Sequence, residues 1–398
     1  MNVGILTAHL NVDEHGGSNY SIHRLGTELE KRGHNVTVYT LNFWEQNGVP
    51  VDHQYTIQET DIDYETVFDL GTKLYLKIED WVQPQDVFHV YSPLFVPFFG
   101  VYQNRSDTET QIVATLNNYN AFCTNPSKMR DGCWEECSLS KKITHAGDSI
   151  SERTIKSPRA FFKHYSKGPL NAIDNYLCLS PSVKQIHSQN GIDETRLNVV
   201  PNMIDPTFQT VERQSSDEQR LLYVGRVEDM KGIPILLEGV SQIQSREFHV
   251  DVVGDDIFDQ SEGIESYKET AAELGISDKL TFHGWVDYDK LSKYYARADA
   301  FIHPGRWPEP FGRTIIEAMQ HQLPIICSNI GAPPWVAGSA GVSYPEADSE
   351  ALADELEHVL FDENTLRNLR ENIPKELERF HPETVIDQIL DLYQADSV

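Results

Sequence analysis

Three consecutive stretches decide the fold: "NVGILTA" (residues 2–8), "GGSNYSIHRLGTELEKRGH" (16–34) and "NVTVYTL" (35–41). The first and third are short apolar runs of the kind that form buried strands. The second reads as a loop entering an amphipathic helix that stops at Gly33. Strand, helix and strand in that order make a parallel unit with a right-handed crossover.

Working outward, the pattern repeats. "DVFHVYSP" and "TQIVATLNN" predict further strands, and "NYLCLSPSVKQIHSQNGI" predicts another strand and helix. After "NVVPNMIDPTF" the polar stretch "TVERQSSDEQ" reads as a linker. A second series then opens with "RLLYVGRV" and a helix from about Ile233. It continues through the strands "FHVDVVG", "KLTFHGWV" and "DAFIHPG", with helices at "SYKETAAELG" and "YDKLSKYYARA", and "LPIICSN" is read as closing its sheet. The expectation is two α/β domains with mostly parallel sheets, 1–206 and 207–380.

Composition removes several classes. With 61 acidic and 33 basic side chains in 398 residues, the formal charge is −28. Nucleic-acid partners want basic surface, so they are disfavoured; a solvated acidic surface suited to high salt is the expectation instead. No apolar run approaches the roughly 18 residues of a membrane span. The start "MNVGILTAHLN" lacks the basic flank and apolar length of a signal peptide, which predicts a cytoplasmic protein. Five cysteines argue against a disulfide framework.

Ligands of open α/β sheets bind beyond the carboxyl ends of the strands. "YVGRVEDMKG" puts Arg226 directly after a strand and Lys231 just ahead of a helix, a pair able to hold a diphosphate with the helix amides. In "RWPEPFGRTIIEAMQHQLP" (306–324), Glu309 lies between two prolines and Glu317 lies inside a helix that starts near Gly312. Two carboxylates at that separation can accept from hydroxyls at two places on one ligand, as sugar and ribose hydroxyls require. Each motif has a structural alternative: surface cations around a strand-turn-helix, and a capping plus a solvated glutamate.

With these residues in order, the chain resembles the family four glycosyltransferases, retaining nucleotide-sugar enzymes of GT-B architecture. The resemblance runs along nearly the whole length, from "GGSNYSIHRLGTELEKRGHNVTVYT" through "VVPNMID", "YVGRVEDMKG" and "LTFHGWV" to "HPGRWPEPFGRTIIEAMQHQLPIICSNIGAPPWV" and "SYPEADSEALADEL". It implies two Rossmann-like domains facing across a cleft, an N-terminal acceptor side and a C-terminal donor side. The final helix, within 381–398, would pack back on the first domain. Arg226 and Lys231 would hold the donor diphosphate. Glu309, with the backbone at Phe311 and Gly312, would contact the donor sugar, and Glu317 the ribose. Gly16 and Gly17 would form the glycine-rich loop of the acceptor domain, and Trp285 and Val286 would border the base. The implied reaction moves a hexose from a UDP- or GDP-sugar to a hydroxyl of a glycan or lipid-linked acceptor, in cell-surface glycan or glycoprotein oligosaccharide assembly. No cofactor or metal is expected, because the cations and helix ends can neutralise the leaving group. Asp61 with Asp63 and Asp287 with Asp289 look like metal pairs, but an acidic chain makes such pairs by chance.

The sequence departs from its relatives at three places. Asn117 and Asn118 stand where the family usually has a His near the reacting centre; Asn117 keeps a candidate catalytic position but cannot titrate near neutrality. "GAPPW" carries Trp335 in place of a Glu, and "NMID" replaces the usual "NGID". An inactive nucleotide- or sugar-binding relative is therefore the alternative function. Another GT-B chemistry, an epimerase or phosphorylase, is a third.

Between Cys123 and Lys167 the chain is least ordinary. Cys123, Cys133 and Cys137, with His145, allow either a structural zinc site or reduced thiols. "KKITHAGDSISERTIKSPRAFFKHYSKGP" carries seven Lys or Arg against two acidic residues. Lys156, Arg159, Phe161, Phe162, Lys163 and Lys167 are its candidate surface for a lipid-phosphate acceptor or for peripheral contact with the inner face of the membrane, against a solvated helical face.

Overall fold

The computed structural model describes residues 1–11, 17–44, 55–60, 62, 67–126, 129, 132–135, 137–147, 149–206, 208, 210–211, 218–244, 246–256 and 263–395. Gly16, Asp61, Asp63 and most of the linker read at 210–219 lie outside them. The chain forms two compact units, one of Met1–Met203 with Pro382–Val398, the other of Ile204–His381.

The first unit holds β1 (Asn2–Asn11), β2 (Asn35–Trp44), β3 (Thr56–Glu59), β4 (Val87–Val90), β5 (Gln111–Leu116), β6 (Asn175–Cys178) and β7 (Leu197–Val199). All its ladders are parallel, in the order β3-β2-β1-β4-β5-β6-β7. Every residue of β4, β5 and β6 is buried, as strands covered on both faces must be. The helix Gly17–Lys31 lays Ile22, Leu25 and Leu29 on Val3, Ile5, Val36 and Val38, the crossover expected from the opening stretch. Into the same core the helix Pro382–Gln394 sends Val385, Ile386, Ile389 and Tyr393. The Tyr393 hydroxyl lies 2.6 Å from His89 Nδ1 on β4, and the other ring nitrogen lies 2.7 Å from Thr115 Oγ1 on β5.

The second unit holds β8 (Gln219–Val224), β9 (Phe248–Val253), β10 (Leu280–Gly284), β11 (Ala300–His303), β12 (Ile325–Ser328) and β13 (Gly341–Tyr344), again parallel, in the order β10-β9-β8-β11-β12-β13. Leu221, Val250, Val252, Ile302 and Ile326 meet Leu236, Leu237 and Val240 of one helix and Leu352, Leu356 and Val359 of another. Each sheet reverses its strand order once, beside β1 and beside β8, and those reversals open the crevices where ligands of such sheets bind. Among the described residues no helix is long and apolar enough to cross a membrane.

The strand reading is corrected at the edges. The second sheet is closed by β13, not by "LPIICSN", and β3 and β7 were not read at all. Short edge strands carry exposed or mixed positions and give weak periodicity; β3 is exposed at three of its four positions, and β13 mixes half-buried, exposed and buried ones.

Candidate functional site

The site grows from the carboxyl ends of β8 and β11, neighbours at the reversal of the second sheet. After β8 come Gly225 and Arg226, then a tight turn Asp229–Lys231 and the helix Ile233–Gln242 with its proline in the first turn. Gly232 between them takes φ +83°, and a Cβ there would fall 1.8 Å from the Pro304 carbonyl oxygen. Only glycine lets this turn lie against the loop after β11. The Arg306 N–H closes the contact by donating to Met230 O at 2.9 Å.

Across that junction the Lys231 ammonium is 2.5 Å from Glu309 Oε2, which also accepts from Trp307 Nε1 at 3.1 Å. The same ammonium stands 5.3 Å from the centre of the Trp307 ring. Burial pushes the Glu309 carboxyl up, yet the charges of Lys231 and His303 and the bonds from Lys231 and Trp307 outweigh it and hold the group below the ordinary range. Arg226 grips Glu228 at two points, both 3.0 Å. The two cations named from sequence are thus held by carboxylates, in a loop cluster facing out from the strand ends.

His303 ends β11 in the same cluster. Its ring is buried, Nδ1 has no hydrogen-bond partner, and burial lowers its pKa to about 4 against the pull of Glu309. His303, Trp307 and Glu228 were missed in the sequence. The first could have been found from its place at a strand end, whereas the pairings of the other two are set by loop geometry.

Gly312, at φ +89°, caps the helix Arg313–Gln320, and Glu317 lies little more than a turn inside it. Glu317 is 5 % exposed, so it faces the interior rather than open solvent. Its Oε2 accepts from the Tyr295 hydroxyl at 3.0 Å and its Oε1 lies 4.0 Å from Arg313. Burial raises its pKa, and Arg313 and Tyr295 oppose the rise without cancelling it. Phe311 is buried, its ring edge-on to Phe380. Trp285, just past β10, is 66 % exposed, and Val286 is half-buried. Trp335 lies under the Arg379 guanidinium at 4.5 Å and its carbonyl accepts from both terminal nitrogens of that arginine, a packing role in place of a carboxylate.

In the first unit, Asn117 follows β5 and donates from Nδ2 to Tyr91 O at 3.2 Å, while its Oδ1 accepts from Asn118 at 2.9 Å. Gly17 opens the first helix. The basic stretch forms the helices Leu139–His145 and Ile150–Tyr165. Lys156, Phe161 and Lys167 are exposed on it, but Lys163 is 3 % exposed and Phe162 is stacked on Phe98. The surface reading is corrected for those two: the Lys163 ammonium is consumed inside by the carbonyls of Asn120 and Cys123. Asp287 pairs with Lys290 at 2.5 Å. Among the described residues no three His, Cys, Asp or Glu side chains gather where they could hold a metal, and none of the five cysteines is in a disulfide.

Known proteins resemble this chain in sequence and in fold. The model of Glycosyltransferase Family 4 matches residues 15–208 and that of Glycosyl transferases group 1 matches residues 205–376. The mannosylfructose-phosphate synthase of Agrobacterium fabrum is 34% identical over 150 residues, 36% of this chain and 32% of that protein. The lipopolysaccharide 1,6-galactosyltransferase of Escherichia coli is 24% identical over 184 residues, 45% of this chain and 48% of that one. The chain thus matches about a third to a half of these curated relatives' length. The fold is shared with Anabaena HepE, solved with UDP and glucose, at TM-score 0.72, 16% identity and 98% of both chains. It is shared too with sucrose-phosphate synthase from Thermosynechococcus elongatus, at TM-score 0.71, 21% identity, 99% of this chain and 98% of that one. Matched by one family model after the other from residue 15 to residue 376, and folded as two parallel α/β units of GT-B type, the chain belongs to the family four glycosyltransferases.

Proposed function

We propose that the protein transfers a hexose, with retention at the anomeric carbon, from a nucleotide-sugar to a hydroxyl of a glycan or lipid-linked acceptor in surface-glycan assembly. The observation that carries this reading is the junction of Lys231, Glu309 and Arg226 at the reversal of the second sheet. There a diphosphate would meet both cations, and a sugar would meet Glu309. The second unit is then the donor side and the first the acceptor side. Relatives support the class: HepE is solved with UDP and with UDP-glucose, and others are named as galactosyl- or sugar-phosphate-forming enzymes.

In this reaction the bond from the anomeric carbon to the diphosphate breaks and the acceptor oxygen bonds on the same face. The acceptor's proton passes to the leaving diphosphate. The chain's own part is electrostatic and positional. Arg226, Lys231 and the amides ahead of the helix Arg313–Gln320 take up charge on the leaving group without a metal. Glu309 orients the sugar, and Glu317, with Tyr295 on its other oxygen, accepts from the ribose. Asn117 holds the acceptor side by hydrogen bonding alone.

Calorimetric titration with UDP and GDP in EDTA tests the reading. One nucleotide should bind, and Lys231→Ala should weaken it by about tenfold or more, the loss of one charge-assisted contact. No binding by either nucleotide would sink it. The second reading, a binding protein without turnover, is favoured by Asn117 in the usual His position; nucleotide-sugar binding with neither transfer nor slow hydrolysis would establish it.

A further inference from the structure

Beside the loop that follows β5, a polar pocket of about 360 Å³ is lined by Asn120, Thr124, Asn125, Ala146, Lys156 and Arg159. It lies in the one basic stretch of a chain whose formal charge is −28. The loop is shaped by buried lysines. Lys163 donates to the carbonyls of Asn120 and Cys123, and Lys142 donates to Phe122 O at 2.7 Å, while Thr124 Oγ1 donates to Lys142 O at 2.8 Å. These bonds spend the ammonium groups on the backbone and leave the pocket wall to Arg159 and Lys156.

Arg159 is the group without an answer. Its Nη2 reaches Asn120 Oδ1 at a marginal 3.5 Å, and its Nε is shut off from solvent with no hydrogen-bond partner. Guanidinium stays charged at any working pH, so Arg159 brings a permanent positive charge to the pocket wall. Lys163 beside it adds repulsion, since the charge of Arg159 helps push the Lys163 pKa down after burial itself. Lys156 adds a second cation at the rim; Glu152, 3.9 Å from it, is an exposed partner on the same helix. Two cations, side-chain amides and a volume near the lower end of the roughly 300–1,000 Å³ of ligand pockets suit a compact dianion, not a long chain.

We propose that this pocket binds a phosphate monoester, the anionic group of the acceptor. The inference rests on the transferase reading for the word acceptor, though not for the site. A ladder of asparagines joins the pocket to the candidate reacting position. Asn118 Nδ2 donates to Asn117 Oδ1 at 2.9 Å, and Asn118 Oδ1 accepts from the Asn120 N–H at 2.8 Å. A phosphate on Arg159 would therefore fix the loop that carries Asn117.

The test is titration of the full chain with glucose 6-phosphate, and separately with phosphatidylcholine vesicles with and without phosphatidic acid. Each is run on the native protein, Arg159→Gln, Arg159→Lys and Lys156→Gln, with thermal melting as a check on folding. Arg159→Gln should lower phosphate affinity about tenfold or more, Arg159→Lys less, and UDP binding should not change. Binding by the soluble ester alone identifies a sugar phosphate; binding by the acidic vesicles alone, with the same dependence on Arg159, identifies a lipid phosphate. Equal affinity in native protein, Arg159→Gln and Lys156→Gln, or no binding of either phosphate, overturns the proposal. If UDP fails to bind while phosphate binding still depends on Arg159, the transferase reading falls and the site stands.

Discussion

At the scale of single residues, the pair of Lys231 and Glu309 sets what the proposed donor binding would have to do. The ammonium lies 2.5 Å from its carboxylate, so a diphosphate would have to compete with Glu309 for it. Replacing Glu309 by Gln removes the competitor and keeps the shape. Glu309→Gln is expected to bind UDP at least as tightly as the native protein while transfer falls by about two orders of magnitude, the scale of losing one transition-state contact. Weaker UDP binding in a calorimeter, with transfer unchanged, would show that Glu309 serves the diphosphate and not the sugar. The residues of this cluster were legible because their chemistry is local to a strand end: Arg226, Lys231, Glu309 and Gly312 each follow a readable strand. Glu317 was legible as a helix residue but not as a buried one, since the Tyr295 hydroxyl that covers it comes from a distant helix.

Among elements, the link between the final helix and β4 is the most exposed to test. His89 is wholly buried between the hydroxyls of Tyr393 and Thr115, and burial lowers its pKa to about 3. A histidine held neutral when folded and free to protonate when unfolded binds more protons in the unfolded state below its ordinary pKa of about 6.5. Its contribution is therefore complete above about pH 6.5 and is lost as pH falls toward 3, at up to about 1.4 kcal/mol per pH unit. Tyr393→Phe should cost about 1–3 kcal/mol, the loss of one partner of a buried polar group. Denaturant midpoints measured from pH 7.5 to 5 check both: a flat profile, or a Tyr393→Phe protein as stable as the native one, contradicts the assignment. Central strands such as β4 and β5 could be read from their mostly apolar runs, whereas β3, β7 and β13 could not. An edge strand is defined by its neighbour's ladder more than by its own side chains. Lys163 misled for a related reason: a lysine in a basic run is usually solvated, and only the fold reveals the carbonyls that take it in.

For the whole molecule, the unit containing Met1–Met203 also needs Pro382–Val398, while Ile204–His381 is continuous in the chain. During synthesis the sheet of the first unit leaves the ribosome before the central unit, but the side chains that complete its core, Val385, Ile386, Ile389 and Tyr393, leave after that unit. The unit Ile204–His381 can therefore mature while the unit before it still waits for the segment after it, reversing the usual order in which domains finish. Protease treatment of released chains truncated before Pro382 should find the central unit resistant and the first unit still cut; equal resistance would mean that the first sheet closes without the helix Pro382–Gln394. A chain arranged this way completes its first sheet only after Pro382–Gln394 has been made, so a product cut short before Pro382 would carry a folded central unit beside an unfinished first one.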